Sequence, residues 1–183
     1  MKKLPLYLIA ILFLIPVISC NKIIEAVYPG EDMTLEELTV EVPPVPIADS
    51  TLEIPVGTFS TYVNTDSTIR ANTGGVFGIN SVSSVKVKEV TMKVKNADDA
   101  NNLSAFKSFR IAIASNTDSN PLDIVDIEIP ATAVESYTST PSNSPDITPY
   151  LHGTWITYTV YCSIRHTTTK TINLSTTIVV TAK

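Results

Sequence analysis

Apolar residues recur at every second position along most of the chain beyond residue 37. Leu38, Val40 and Val42 alternate with Thr39 and Glu41, the mark of a half-buried strand. Pro43, Pro44 and Pro46 then enforce an extended segment unsuited to a central ladder. Leu52, Ile54 and Val56 resume the alternation, and Phe59 and Val63 continue it. From Asn64 to Gly78 turn formers dominate, with room for a short helix near Ser67–Ala71 and a turn at Gly74-Gly75. In Val85–Val94 the phase flips: Val85 and Val87 are odd, whereas Val90, Met92 and Val94 are even. One strand cannot hold both sets on one face, so a β-bulge is expected near Lys88-Glu89.

Leu103, Phe106 and Phe109 stand three apart, which predicts a helical turn leading into a strand with Ile111 and Ile113. Ile124, Val125, Ile127 and Ile129 form another strand, stopped by Pro130, and Ser136–Pro149 reads as a loop. Ile156, Tyr158, Val160, Cys162 and Ile164 share one face, and Ile172, Leu174, Ile178 and Val180 repeat the pattern. The short polar loop between these runs predicts an antiparallel hairpin. Strand regions at 38–42, 52–63, 84–95, 108–115, 123–129, 154–166 and 171–182, with no long amphipathic helix, point to an all-β antiparallel sandwich. The 24 Thr and 17 Ser against 6 Gly agree, because Thr favours strands.

The first twenty residues follow a different logic. Lys2 and Lys3 precede an uncharged stretch from Leu4 to Ser19, which is 16 residues long. A bilayer span needs ~20 apolar residues, so a secretory signal peptide fits better. Its end, Val17-Ile18-Ser19-Cys20, resembles the bacterial lipobox. That resemblance implies cleavage after Ser19, a covalent lipid on the Cys20 sulfur and a membrane anchor through that lipid. Asn21 in place of an aspartate favours the outer membrane. The expected organisation is a signal peptide over 1–19, a lipidated, acidic tether over 20–37 and a β-sandwich over 38–183.

Charge follows the same division. The whole chain carries −5, and loss of Lys2 and Lys3 with the leader takes it to −7. All of that deficit lies in residues 20–80, because acids and bases balance over 81–183. An acidic chain lacks the basic face that nucleic acid requires. Lys86, Lys88, Lys93 and Lys95 read as outward side chains that guard a strand against edge pairing.

Candidate chemistry is sparse. His152 and His166 are the only imidazoles, and neither G-x-S-x-G nor H-E-x-x-H occurs. Cys162 lies in an apolar row and reads as core. Asp98, Asp99, Asp118 and Asp123 sit in oxygen-rich loops and are the calcium candidates, although neither loop follows the EF-hand spacing. Gly74-Gly75-Val76-Phe77-Gly78 lacks the Lys-Ser/Thr of a phosphate loop. Tyr150, Trp155 and Tyr161 are candidate stacking platforms for a ligand such as a sugar.

Val82 to Val180 resembles small envelope lipoproteins of Bacteroidota. The shared features are the lipobox, a long strand like Ser84–Val94, a Phe-containing segment like Leu103–Phe109, an Ile129-Pro130 strand end and an Asp-x-x-x-Tyr-Leu element at Asp146–Leu151. The resemblance implies an immunoglobulin-like β-sandwich on the cell envelope and carries over no catalytic residue and no cofactor. The expected function is a lipid-anchored, non-enzymatic binding or scaffold module at the outer membrane, with an envelope protein or glycan as partner. The alternative is a glycan-binding accessory lipoprotein that uses exposed aromatics.

Overall fold

A computed structural model describes residues 30–35 and 37–183. The lipobox residues Val17, Ile18, Ser19 and Cys20 lie outside the described residues. Two antiparallel sheets pack face to face as a β-sandwich, as the alternation predicts. In the first sheet β1 (Glu31–Thr34) and β2 (Leu38–Val42) line one side of β9 (Ile172–Ala182). On the other side of β9 come β4 (Val85–Val94) and then β7 (Ser136–Ser139). The second sheet runs β3 (Glu53–Tyr62), β8 (Trp155–Ile164), β5 (Phe106–Ser115), β6 (Leu122–Glu128). Among the described residues two short α-helices join the sheets, α1 (Thr65–Asn72) and α2 (Thr148–Leu151). Among the described residues no helix is long and apolar enough to cross a membrane.

Bulges explain where apolar residues break the two-residue period. On β4, Val87 faces Val180 and Glu89 faces Val179, so Lys88 is the extra residue, where the phase flip placed it. Val85, Val87, Val90, Met92 and Val94 are therefore all buried. A bulge at Lys107 turns both Phe106 and Phe109 inward, with ring centroids 4.8 Å apart. The expected helical turn is confined to a 3-10 turn at Leu103–Ala105, and Phe106 already belongs to the strand. A third bulge, at Ile124, lets adjacent Ile124 and Val125 both reach the core.

Among the described residues nine strands form where seven were expected. The segment 31–34, read as part of the tether, is β1 and pairs with the end of β9. Its apolar signal is a single buried Met33, too short for a period to register. Asp32 and Glu37 explain why acids gather here, since they form ion pairs with Lys88 and Lys95. The Ser136–Pro149 loop contains β7, whose pairing with β4 rests on backbone bonds and a Thr91–Thr138 hydroxyl contact of 3.0 Å.

The expected β8–β9 hairpin does not form. The two strands belong to opposite sheets, and residues 165–171 carry the chain between them. Alternation reports which face a strand buries, not which neighbour it bonds. Both runs bury their apolar rows in one core, approaching it from opposite sides.

Candidate functional site

The structure separates the three nominated aromatics. Tyr150, expected to be an exposed platform, is buried at 7% exposure, and its hydroxyl donates to the Asn120 carbonyl at 2.9 Å. It closes the end of the sandwich because α2 turns it inward between β4 and the β5–β6 turn. Tyr161 does lie on the outer face of the second sheet, but the Arg110 guanidinium covers it at 3.9 Å from the ring centroid. Glu53 and Asp123 fix that guanidinium with contacts of 2.6 Å each. The face of this ring is thus occupied within the protein. Trp155 alone stands open, at 52% exposure.

Trp155 has a partner that sequence reading missed. Tyr62 lies opposite it in register, is 59% exposed, and meets it edge to face at 5.9 Å and 78°. The available signal was an aromatic in the polar phase of β3, where Thr58 and Ser60 also face outward. From this pair a hydroxyl ladder runs along the outer face, Ser60 to Thr157 at 2.9 Å and Thr58 to Thr159 at 3.4 Å. Cross-strand hydroxyl pairs of this kind rigidify a sheet.

The sandwich has two unlike ends. At one, β9 finishes beside the start of β1, β3 ends at Tyr62 and β8 begins at Trp155. Asp146 ties this end together, since its carboxylate accepts Val85 N at 3.0 Å, Thr148 N at 3.0 Å and Thr148 Oγ1 at 2.6 Å. Asn116 Oδ1 adds bonds from Thr154 N and Trp155 N. At the other end, the loops 43–52, 95–102, 129–135 and 165–171 brace one another. Val45 and Thr168 exchange two hydrogen bonds, 2.9 and 3.0 Å. Asn101 Oδ1 accepts Thr169 N at 2.7 Å and Lys170 N at 3.2 Å. Arg165 donates to the Ser104 and Ile129 carbonyls, and Lys107 to that of Ser50. On this braced frame Ile47, Leu52 and Val134 remain exposed.

The titratable residues are dispersed. His166 Nε2 lies 3.2 Å from Ser104 Oγ, but that hydroxyl donates to Asn102 Oδ1 at 2.7 Å. Burial, with the Glu53 charge adding to it, pushes the Cys162 thiol up to about 12. The calcium candidates are not brought together. Asp98 bonds Lys170 Nζ at 2.6 Å and the Asn101 side chain at 2.8 Å, contacts that hold its carboxyl well below its usual value. Asp118 accepts from Asn120, Asp123 pairs with Arg110, and the Asp99 carbonyl accepts from Asn102. Among the described residues no three His, Cys, Asp or Glu side chains are grouped to hold a metal.

No family model matches the chain, and no curated protein matches it in sequence. Among solved structures, it is similar to a subviral particle of infectious bursal disease virus at 10% identity and TM-score 0.37, over 84% of this chain and 33% of that one. The chain spans about a third of the length of the viral chains it matches. It is also similar to a family 32 CBM from C. perfringens NanJ in complex with galactose, at 11% identity and TM-score 0.29, over 76% of this chain and 99% of that one. A Burkholderia pseudomallei antigen and type I fimbria protein matches at 11% identity and TM-score 0.28, over 84% of this chain and 99% of that one. At these scores the likeness carries no argument about what this chain does.

Proposed function

We propose that the chain is a lipid-anchored β-sandwich of the cell envelope, held at the outer membrane through Cys20, and that it acts as a non-enzymatic binding module for a protein partner. The end remote from Gly30 is the observation that carries this reading. Four cross-braced loops there hold Ile47, Leu52 and Val134 in the open. Apolar side chains fixed on a rigid frame suit recognition, because little side-chain and loop entropy is lost on docking. Their position opposite the incoming anchor segment presents them outward from a membrane.

The alternative, a glycan-binding accessory, draws support from Trp155 and Tyr62 alone. Rings standing at 78° share no plane, so only one of them can lie flat under a given sugar face.

Two experiments test the proposal. Metabolic labelling with a fatty acid should tag the wild type and not Cys20→Ala, and equal labelling refutes the anchor. A photocross-linker placed at Ile47 in intact cells should give a discrete protein adduct that Leu52→Asp and Val134→Asp abolish. Adducts indifferent to both changes would remove the remote end as the docking surface.

A further inference from the structure

The two large exposed aromatics of the second sheet lie at the end where the chain comes in from its N-terminal segment. Glu31 pairs with Ala182, and Gly30 lies against the Ala182 carbonyl. The connection from β4 through Asp146 and α2 to Asn120 places the start of β8, and so Trp155, at this same end. Val76 is there as well, 70% exposed beside Gly74 and Gly75, whose φ of +63° and +83° turn the chain back tightly. Nine residues lie between Cys20 and Gly30, a span of ten Cα-to-Cα steps. Fully extended they reach at most ~35 Å, about the length of one strand of the sandwich. A domain anchored through Cys20 therefore keeps this end within reach of the bilayer.

The chemistry of the end suits that neighbour. Tryptophan and tyrosine combine an apolar body with a polar tip and concentrate at the headgroup level of membranes. Three of the acids here are engaged, Asp32 by Lys88, Asp66 by Arg70 and Asp146 by Val85 and Thr148, while Glu31 and Asp118 have no salt bridge among the described residues. Lys86 and Lys183 stand at this end without a salt bridge among the described residues, available to lipid phosphates.

We infer that this end of the sandwich seats on the lipid surface, with Trp155 and Tyr62 in the headgroup layer. The inference rests on the proposed anchor and goes beyond it, since an anchored domain could equally stand clear of the lipid.

Trp155 is the single tryptophan of the chain, so its fluorescence reports one position. The full-length lipidated protein is reconstituted into phosphatidylethanolamine–phosphatidylglycerol vesicles whose lipids carry bromine near the headgroup end of the acyl chain. Seating predicts that Trp155 emission shifts to shorter wavelength, loses most of its intensity to bromine and becomes shielded from aqueous acrylamide. A Trp155→Phe, Ile47→Trp variant moves the reporter to the remote end and should show none of these effects. Protein that floats with the vesicles while Trp155 stays open to acrylamide overturns the seating and leaves the anchor intact. Protein that does not float removes the anchor and the seating together. A Trp155 that responds to added oligosaccharide and not to brominated lipid overturns the seating in favour of a glycan.

Discussion

Asp146→Ala probes the knot that closes the end of the sandwich beside Gly30. Its carboxylate holds three donors, and one of them, Val85 N–H, belongs to a fully buried residue. Stranding a buried donor costs ~1–3 kcal/mol. Loss of the bond to the first N–H of α2 adds ~1 kcal/mol, as at other helix starts. The outer side of the carboxylate is solvated, which trims the sum to about 2–3 kcal/mol. For a domain of this size that lowers Tm by roughly 5–10 °C. Asp146→Asn keeps an acceptor oxygen and should lose about a third as much. The pH dependence has a defined sign. Burial raises the Asp146 pKa, but the Thr148 and Val85 bonds outweigh it and hold the carboxyl below its ordinary 3.8. Its contribution is therefore complete above that value and fades as pH falls through the lower, folded-state value. Thermal unfolding followed by circular dichroism at pH 7 and pH 3 reads both effects. An alanine variant melting within about 2 °C of wild type at neutral pH would refute the reasoning, as would an asparagine variant equally damaged.

Three further outcomes follow from the core and the outer face. Thr176 is fully buried and its hydroxyl has no partner among the described residues, so Thr176→Val should raise stability by ~1–2 kcal/mol and Tm by about 2–6 °C; a lower Tm would show the hydroxyl to be satisfied. Cys162, with its thiol pushed up to about 12, should resist iodoacetamide in the native chain and react on unfolding. In denaturant the thiol count then reads one if the Cys20 sulfur carries lipid and two if it is free. Arg110→Lys loses the fork onto Glu53 and Asp123 and the plane over Tyr161, and should cost about 1 kcal/mol in a denaturant titration; an unchanged midpoint would make the cluster energetically inert.

The sequence carried the faces of the strands far better than their partners. The odd-to-even switch within Val85–Val94 located a bulge to within a residue, because all five apolar side chains of that strand are buried. The same alternation could not tell whether β8 and β9 bond to each other or face each other across the core. β1 escaped notice because one methionine makes no period, and β7 because Ser136–Ser139 pairs through its backbone with no apolar row. At the candidate surface Trp155 was legible as a lone tryptophan. Tyr150 was misjudged because the turn of α2 that points it inward depends on a side-chain bond from Asp146, four residues before it, which alternation along strands does not report. Tyr161 was correctly placed on the outer face, but the Arg110 that covers it comes from a strand fifty residues earlier.

The place of β9 in the first sheet bears on how the chain folds. It is the last strand in sequence, yet β1, β2 and β4 all bond to it. Until Ile172–Ala182 arrives, β1 and β2 have no ladder and one edge of β4 has no hydrogen-bonding neighbour. Pairings such as Glu31 with Ala182 span nearly the whole domain, and contacts so distant in sequence form slowly. A nascent chain therefore lacks the means to close its sandwich while its C-terminal strand is still being made. If the chain is exported as proposed, that delay keeps the polypeptide threadable until its last strand is through, and sets folding after translocation.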